Sequence, residues 1–180
     1  MNGCKLVSQK KVFGAKLFDV KEVTIRLPNG AKRIHQIAQR HPTVSVFPLT
    51  DSYEIYLVSQ YRYMLKKVTL EAMAGFINKD EAPLGAAKRE LEEECGIVAS
   101  QWEELARVEM AASVFKACAH LFLAKGLEKG VSHPDEDEDI KTIKIPLGDA
   151  VKKVMTGEIN HSASMIGILL LDKLRSENKL

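Results

Sequence analysis

The stretch Gly75–Ile97, GFINKDEAPLGAAKRELEEECGI, constrains this chain more than any other. Pro83 suits the first turn of a helix and Gly96 suits its stop, which predicts a helix over about Leu84 to Glu94. On that helix Leu84, Ala87 and Leu91 form an apolar stripe toward a core, and Glu90, Glu93 and Glu94 fall at i, i+3 and i+4 on a neighbouring face. Like charges at that spacing repel, and the helix C-terminus disfavours anions, so local stability does not account for the arrangement. A divalent cation does, because clustered carboxylate oxygens are the ligands that hard ions such as Mg2+ take. The other reading of the three glutamates by themselves is a solvated helix face. Arg89 can pair with Glu93 one turn on or reach back to Glu81, and either contact would orient a carboxylate. Gly75 is expected to begin a loop in which backbone carbonyls can approach an ion closely.

Around this helix the chain reads as strands and two more helices. Residues 5–40 are strand-rich, with Pro28–Gly30 as a turn and AKRIHQIAQR as the return strand. Thr43–Leu49 and YEIYLVSQYR read as a hairpin of buried strands, and LARVEM, AHLFLAK and IKTIKIPL as later strands. Further helices are expected at LGDAVKKVMTG and SASMIGILLLDKLRSE, the latter with Ser162 or Ser164 as its cap. Interspersed strands and helices predict an α/β class with helices packed on a mixed sheet.

Composition narrows the rest. The chain has 180 residues, 46% of them hydrophobic and 28% charged, which is enough for one ordinary domain with a real core. A net charge of +2 argues against a dedicated nucleic-acid binder. Three cysteines without a C-x-x-C pair indicate neither a disulfide framework nor a zinc knuckle. The start MNGCKLVSQKKVFG has no apolar signal-peptide region, and MIGILLL is too short to span a bilayer, so a cytoplasmic protein without membrane segments is expected.

The full pattern is more specific than its parts. From Gly75 the chain runs Gly, five residues, Glu81, seven residues, Arg89-Glu90-Leu91, one residue, Glu93-Glu94, one residue, Gly96-Ile97. This resembles the Nudix box at every specified position. VSQYR, LEAMAGFI, HLFLAKGL and the C-terminal third are similar to the ADP-ribose pyrophosphatase branch. The resemblance implies a Nudix-type α/β/α sandwich with a mixed sheet over residues 41–180 and N-terminal antiparallel strands over residues 1–40 that form a homodimer. It also implies cleavage of ADP-ribose or another nucleoside diphosphate sugar between its phosphates, with Mg2+ or Mn2+. Matched by position, Glu90, Glu94 and the carbonyl of Ala74 are the implied metal ligands, with Glu93 a further ligand or a neighbouring carboxylate. Arg89 orients the cluster.

A later acidic loop supplies a base in that branch, and PDEDED offers Glu138 first and Glu136 second; the plain alternative is a solvated acidic turn. Arg62 is a candidate for a substrate phosphate or terminal ribose, or else a structural ion pair. Tyr61 is a candidate for stacking a base, against ordinary packing. Glu71 is an outer participant at the site or a solvated residue at a strand end. The branch carries a proline-glycine element downstream of the box, but Glu109–His120 has neither residue, and Lys116 falls where a carboxylate is common, which leaves the sugar open. The alternatives to this hydrolase are a non-catalytic Nudix-like ligand sensor and a nucleoside triphosphate pyrophosphohydrolase.

Overall fold

The computed structural model describes residues 3–111, 113–130 and 140–180; Glu136 and Glu138 lie outside them. The chain divides into two compact units, Met1–Pro42 with Glu109–Cys118, and Thr43–Val108 with Ala119–Leu180.

In the first unit, β1 (Lys5–Gly14), β2 (Phe18–Arg26) and β3 (Lys32–Arg40) form an antiparallel meander. The turn between β2 and β3 falls at Pro28–Gly30, where Gly30 N–H donates to Leu27 O at 2.9 Å. Ala38 and Gln39 of β3 then pair in parallel with Phe115 and Lys116. Among the described residues of this unit only Ala117 is buried. Leu6, Phe13 and Ile34 are 64%, 54% and 59% exposed, so these strands are joined by their ladders and not by a core of their own.

The second unit contains β4 (Thr43–Pro48), β5 (Glu54–Arg62), β6 (Lys67–Glu71), β7 (Met73–Phe76) and α1 (Pro83–Cys95). The long strands β8 (Ile97–Ala111) and β9 (Phe115–Lys129) contribute to it, followed by β10 (Lys141–Pro146), α2 (Leu147–Met155) and α3 (Ser162–Ser176). Here β8 pairs with β9, β9 runs parallel to β4, and β4 runs antiparallel to β7. A separate antiparallel sheet has the order β10-β5-β6.

The expected hairpin of Thr43–Leu49 with YEIYLVSQYR is therefore corrected. Only a single bridge, Leu49 to Ile55, joins the two stretches. A strand has two edges, and those of β4 are taken by β9 and β7, so β5 builds its own sheet with β6 and β10. The expected loop at Gly75 is also corrected, since Gly75 lies within β7 opposite Val44.

Alternation along β4 separates the layers. Val44 and Val46 join a cluster with Ala86, Ala87 and Leu91 of α1, while Phe47 meets α3 at Gly167. The sheet thus carries α1 on one face and α3 on the other, which is the expected α/β/α arrangement with a mixed sheet. Neither serine caps α3: the N-cap is His161, and the Ser164 hydroxyl instead accepts a hydrogen bond from Ala72 N–H at 2.9 Å.

A Cβ added at Gly167 would overlap the Phe47 ring. Gly167→Ala should therefore destabilise by about 1–3 kcal/mol through overpacking, although alanine in a helix interior normally stabilises by about 1 kcal/mol over glycine. Urea denaturation measures the sign, and a stabilised variant would show that β4 and α3 do not pack this closely.

Candidate active site

Helix α1 begins with Pro83 after an extended Ala82 and ends at Gly96, whose left-handed backbone (φ 60°, ψ 37°) lets its N–H reach Glu92 O at 2.8 Å. Its buried face is Ala86, Ala87 and Leu91. Leu84, expected in the apolar stripe, is 38% exposed, and the small alanines set the close approach to the sheet.

Arg89 reaches both of its expected partners and more. Nε and Nη2 donate to the two carboxylate oxygens of Glu81 at 3.0 and 3.1 Å. Nη1 donates to Glu90 Oε1 at 2.7 Å and Glu93 Oε2 at 3.0 Å, and Nη2 also donates to the carbonyl of Phe76 at 3.0 Å. Glu81 accepts Asn78 N–H at 2.9 Å in addition. One guanidinium therefore ties α1, the end of β7 and the intervening loop together. The Arg89 hydrogen bonds and the Asn78 N–H hold the Glu81 carboxyl below its ordinary range against a smaller effect of burial. The hydrogen bonds that Arg89 donates to Glu81, set against burial, raise the guanidinium's proton affinity, with Glu90 and Glu93 adding to the effect.

Glu90 lies directly over Gly75. A Cβ on Gly75 would overlap the Glu90 carboxylate, so the glycine keeps open the space in which that carboxylate meets β7 beside Ala74. Oε2 of Glu94 is buried on the same helix. The donor chemistry fits a hard divalent cation: α1 carries three carboxylates at i, i+3 and i+4, and the first of them, Glu90, meets the backbone of β7 at Gly75. Glu90 and Glu93 are drawn onto Arg89, and among the described residues no three acidic, histidine or cysteine side chains converge on one point.

A second polar cluster surrounds Glu71. The reading of Glu71 as a solvated residue is corrected, because it is 3% exposed at the end of β6. Arg62 Nε and Nη2 donate to its two oxygens at 3.0 and 2.6 Å, and Thr69 Oγ1 donates at 2.6 Å. His161 Nδ1 lies 3.9 Å from Glu71 Oε2 and 2.8 Å from Ser164 Oγ. Burial pushes the Glu71 carboxyl up, but hydrogen bonds from Arg62 and Thr69 and the charges of His161 and Arg62 outweigh it and hold the group below the usual range. Tyr61, beside Arg62, is 59% exposed. Thr69, His161 and Ser164 were not legible as site residues: Thr69 shares β6 with Glu71, but His161 and Ser164 come from the start of α3, and no spacing in the chain announces the meeting of these two elements.

A NUDIX domain model matches residues 39–163, and the chain belongs to that family. Among relatives, a methanol dehydrogenase activator of Bacillus methanolicus is 31% identical over 93% of this chain and 91% of its own length. An ADP-ribose pyrophosphatase of Bacillus subtilis (strain 168) is 30% identical over the same shares of the two chains, 93% and 91%. The crystal structure of an ADP compounds hydrolase superposes with a TM-score of 0.86 at 23% identity, covering 100% of this chain and 98% of that one, which fixes the fold. No helix among the described residues is long and apolar enough to cross a membrane.

The Glu71 cluster has a pH signature. A carboxylate held below its unfolded value of 4.5 contributes stability that is complete above 4.5 and is lost as pH falls through the lower folded value. Glu71→Gln should cost about 2 kcal/mol at neutral pH, a low figure for a broken buried pair because the Arg62 side chain is 42% exposed. The gap from wild type should narrow below pH 4.5. Urea denaturation across this range measures it, and parallel curves would show that the carboxylate is not held in its charged form.

Proposed function

We propose that this chain is a divalent-metal-dependent hydrolase. It splits the pyrophosphate bond of ADP-ribose or a related nucleoside diphosphate sugar into a nucleoside monophosphate and a sugar phosphate. The observation that carries this reading is the Arg89 clamp, which holds Glu90 and Glu93 of α1 in fixed orientation, with the Glu90 carboxylate against the backbone at Gly75. A like-charged cluster oriented at this cost suits cation binding better than it suits local stability. The complete Nudix box and the Bacillus subtilis pyrophosphatase relative support the same substrate class.

In this reading Glu90, Glu94, the carbonyl of Ala74 and Glu93 hold Mg2+, with Mn2+ as a substitute. Bound divalent ions neutralise the pyrophosphate and lower the pKa of a coordinated water. The protein's own part is positioning. Arg89 orients the carboxylates, Gly75 leaves room for Glu90, Arg62 grips a phosphate and Tyr61 offers an exposed ring for a base. Carboxylates committed to cations are poor proton acceptors, so the base role falls on Glu138, or on Glu136 as the second choice. The small net charge of +2 suits a small anionic substrate and not a nucleic acid, and the cytoplasm is the compartment this chemistry fits. The dehydrogenase activator relative keeps the ligand-sensing alternative in view, and a turnover assay separates the two.

The first unit suggests a homodimer. With only Ala117 buried among its described residues, and Leu6, Val12, Phe13 and Ile34 exposed, its strands need an apolar partner surface, and a second copy supplies one.

A panel of nucleoside diphosphate derivatives with Mg2+, products resolved by chromatography, tests the activity. Turnover should vanish with EDTA and fall at least about a hundredfold in Glu94→Gln while the fold survives. Glu138→Gln should depress kcat and leave KM nearly unchanged, because a base acts mainly in the transition state. A folded Glu94→Gln protein with normal turnover would remove the metal assignment, and wild-type kcat in both Glu136→Gln and Glu138→Gln would return the base to the box. Light scattering at micromolar concentration should give the dimer mass; a monomer would count against the role of the first unit.

A further inference from the structure

We propose that Glu71 is a positioning residue: its buried carboxylate fixes the plane of the Arg62 guanidinium for an incoming phosphate and registers it against the Ala74–Gly75 backbone. This rests on the reading of the chain as a nucleoside diphosphate hydrolase.

The pair is lopsided. The Glu71 side chain is 4% exposed and that of Arg62 42%, so the anion sits behind and the cation is presented. Burying a carboxylate is costly unless its oxygens are satisfied, and here both are engaged. Oε1 accepts from Arg62 Nε and Thr69 Oγ1, and Oε2 accepts from Arg62 Nη2. Two parallel N–H···O bonds leave the guanidinium no rotation about its own axis, a constraint that a single contact would not impose.

A structural staple is the plain alternative. Yet β5 and β6 are already joined by a ladder from Val58 opposite Glu71 to Arg62 opposite Lys67, and that pairing needs no buried charge. Replacing such a pair by apolar groups is often neutral or stabilising, so strand pairing alone gives no reason for it.

The connection onward gives one. Glu71 ends β6, and the next residue, Ala72, donates its N–H to Ser164 Oγ, which is fully buried and also hydrogen-bonded to His161 Nδ1. Ala74 lies two residues further along the same pinned segment, opposite Ser45 of β4. The carboxylate that aims Arg62 and the backbone beneath Glu90 therefore share one short piece of chain whose midpoint is anchored to α3. Arg62 is held in register with the carboxylate cluster although β5 belongs to a different sheet from β7.

The test is kinetics on ADP-ribose with Mg2+, beside calorimetric titration with inorganic pyrophosphate in the same buffer. Glu71→Gln and Arg62→Lys should each raise KM, and weaken pyrophosphate binding, about tenfold, the scale of one charge-assisted hydrogen-bond geometry, with kcat within about threefold. Adding Glu71→Gln to Arg62→Ala should cost nothing further, because Glu71 acts only through Arg62. A Glu71→Gln protein with unchanged KM and unchanged pyrophosphate affinity would overturn the proposal. So would a loss confined to kcat, which would place Glu71 on the side of the chemistry, or full additivity with Arg62→Ala. If Glu71→Gln does not fold, Thr69→Val removes one donor to the same carboxylate and should shift both quantities in the same direction by about threefold; no shift would overturn the proposal equally. A wild-type protein that hydrolyses nothing in the panel sinks the functional reading, and the pyrophosphate titration then decides this proposal alone.

Discussion

The Arg89 guanidinium is the contact on which the rest of the site depends. Five hydrogen bonds leave it, to both oxygens of Glu81, to Glu90, to Glu93 and to the Phe76 carbonyl. Without a fixed cation among them, the glutamates on α1 would repel one another and point into solvent. With it, two of them are oriented, the loop before α1 is tied down through Glu81, and the end of β7 is fixed to the helix. A lysine could not replace it, because one ammonium cannot span partners on three elements in a plane.

Arg62 and Glu71 invert that arrangement. At Arg89 a single half-buried cation organises several carboxylates, while at Glu71 a single buried carboxylate organises a half-exposed cation. Along the chain the two clusters flank the short Ala72–Gly75 segment, with Glu71 just before it and Phe76, whose carbonyl Arg89 holds, just after it. One therefore gathers negative charge that suits cations, and the other presents positive charge that suits a phosphate. A pyrophosphate carrying its counter-ions needs both.

Close backbone approach lets these layers meet. Gly75 gives Glu90 its place against β7, and Gly167 lets the Phe47 ring lie on α3. Each glycine stands where any side chain would push an element off the sheet. The helix propensity lost at Gly167 is smaller than the packing gained.

The sequence by itself determined α1, its cap at Gly96, the placing of Glu90, Glu93 and Glu94 at i, i+3 and i+4 on that helix and the partners open to Arg89, because all of these follow from helical periodicity and from spacing within one short stretch. The box made the family legible for the same reason: its residues are neighbours in the chain. The sorting of strands was decided only by the tertiary structure. Thr43–Leu49 and Glu54–Arg62 are both apolar and separated by a polar turn, and local pattern cannot say that the edges of β4 go to β9 and β7. The burial of Glu71 was decided there too. Its neighbours Arg62, Thr69, His161 and Ser164 come from three elements spread across the chain, and a charge at a strand end reads as solvated until the fold surrounds it. Periodicity reports what a residue does along its own element, whereas the partners of a buried charge are set by which elements pack beside it.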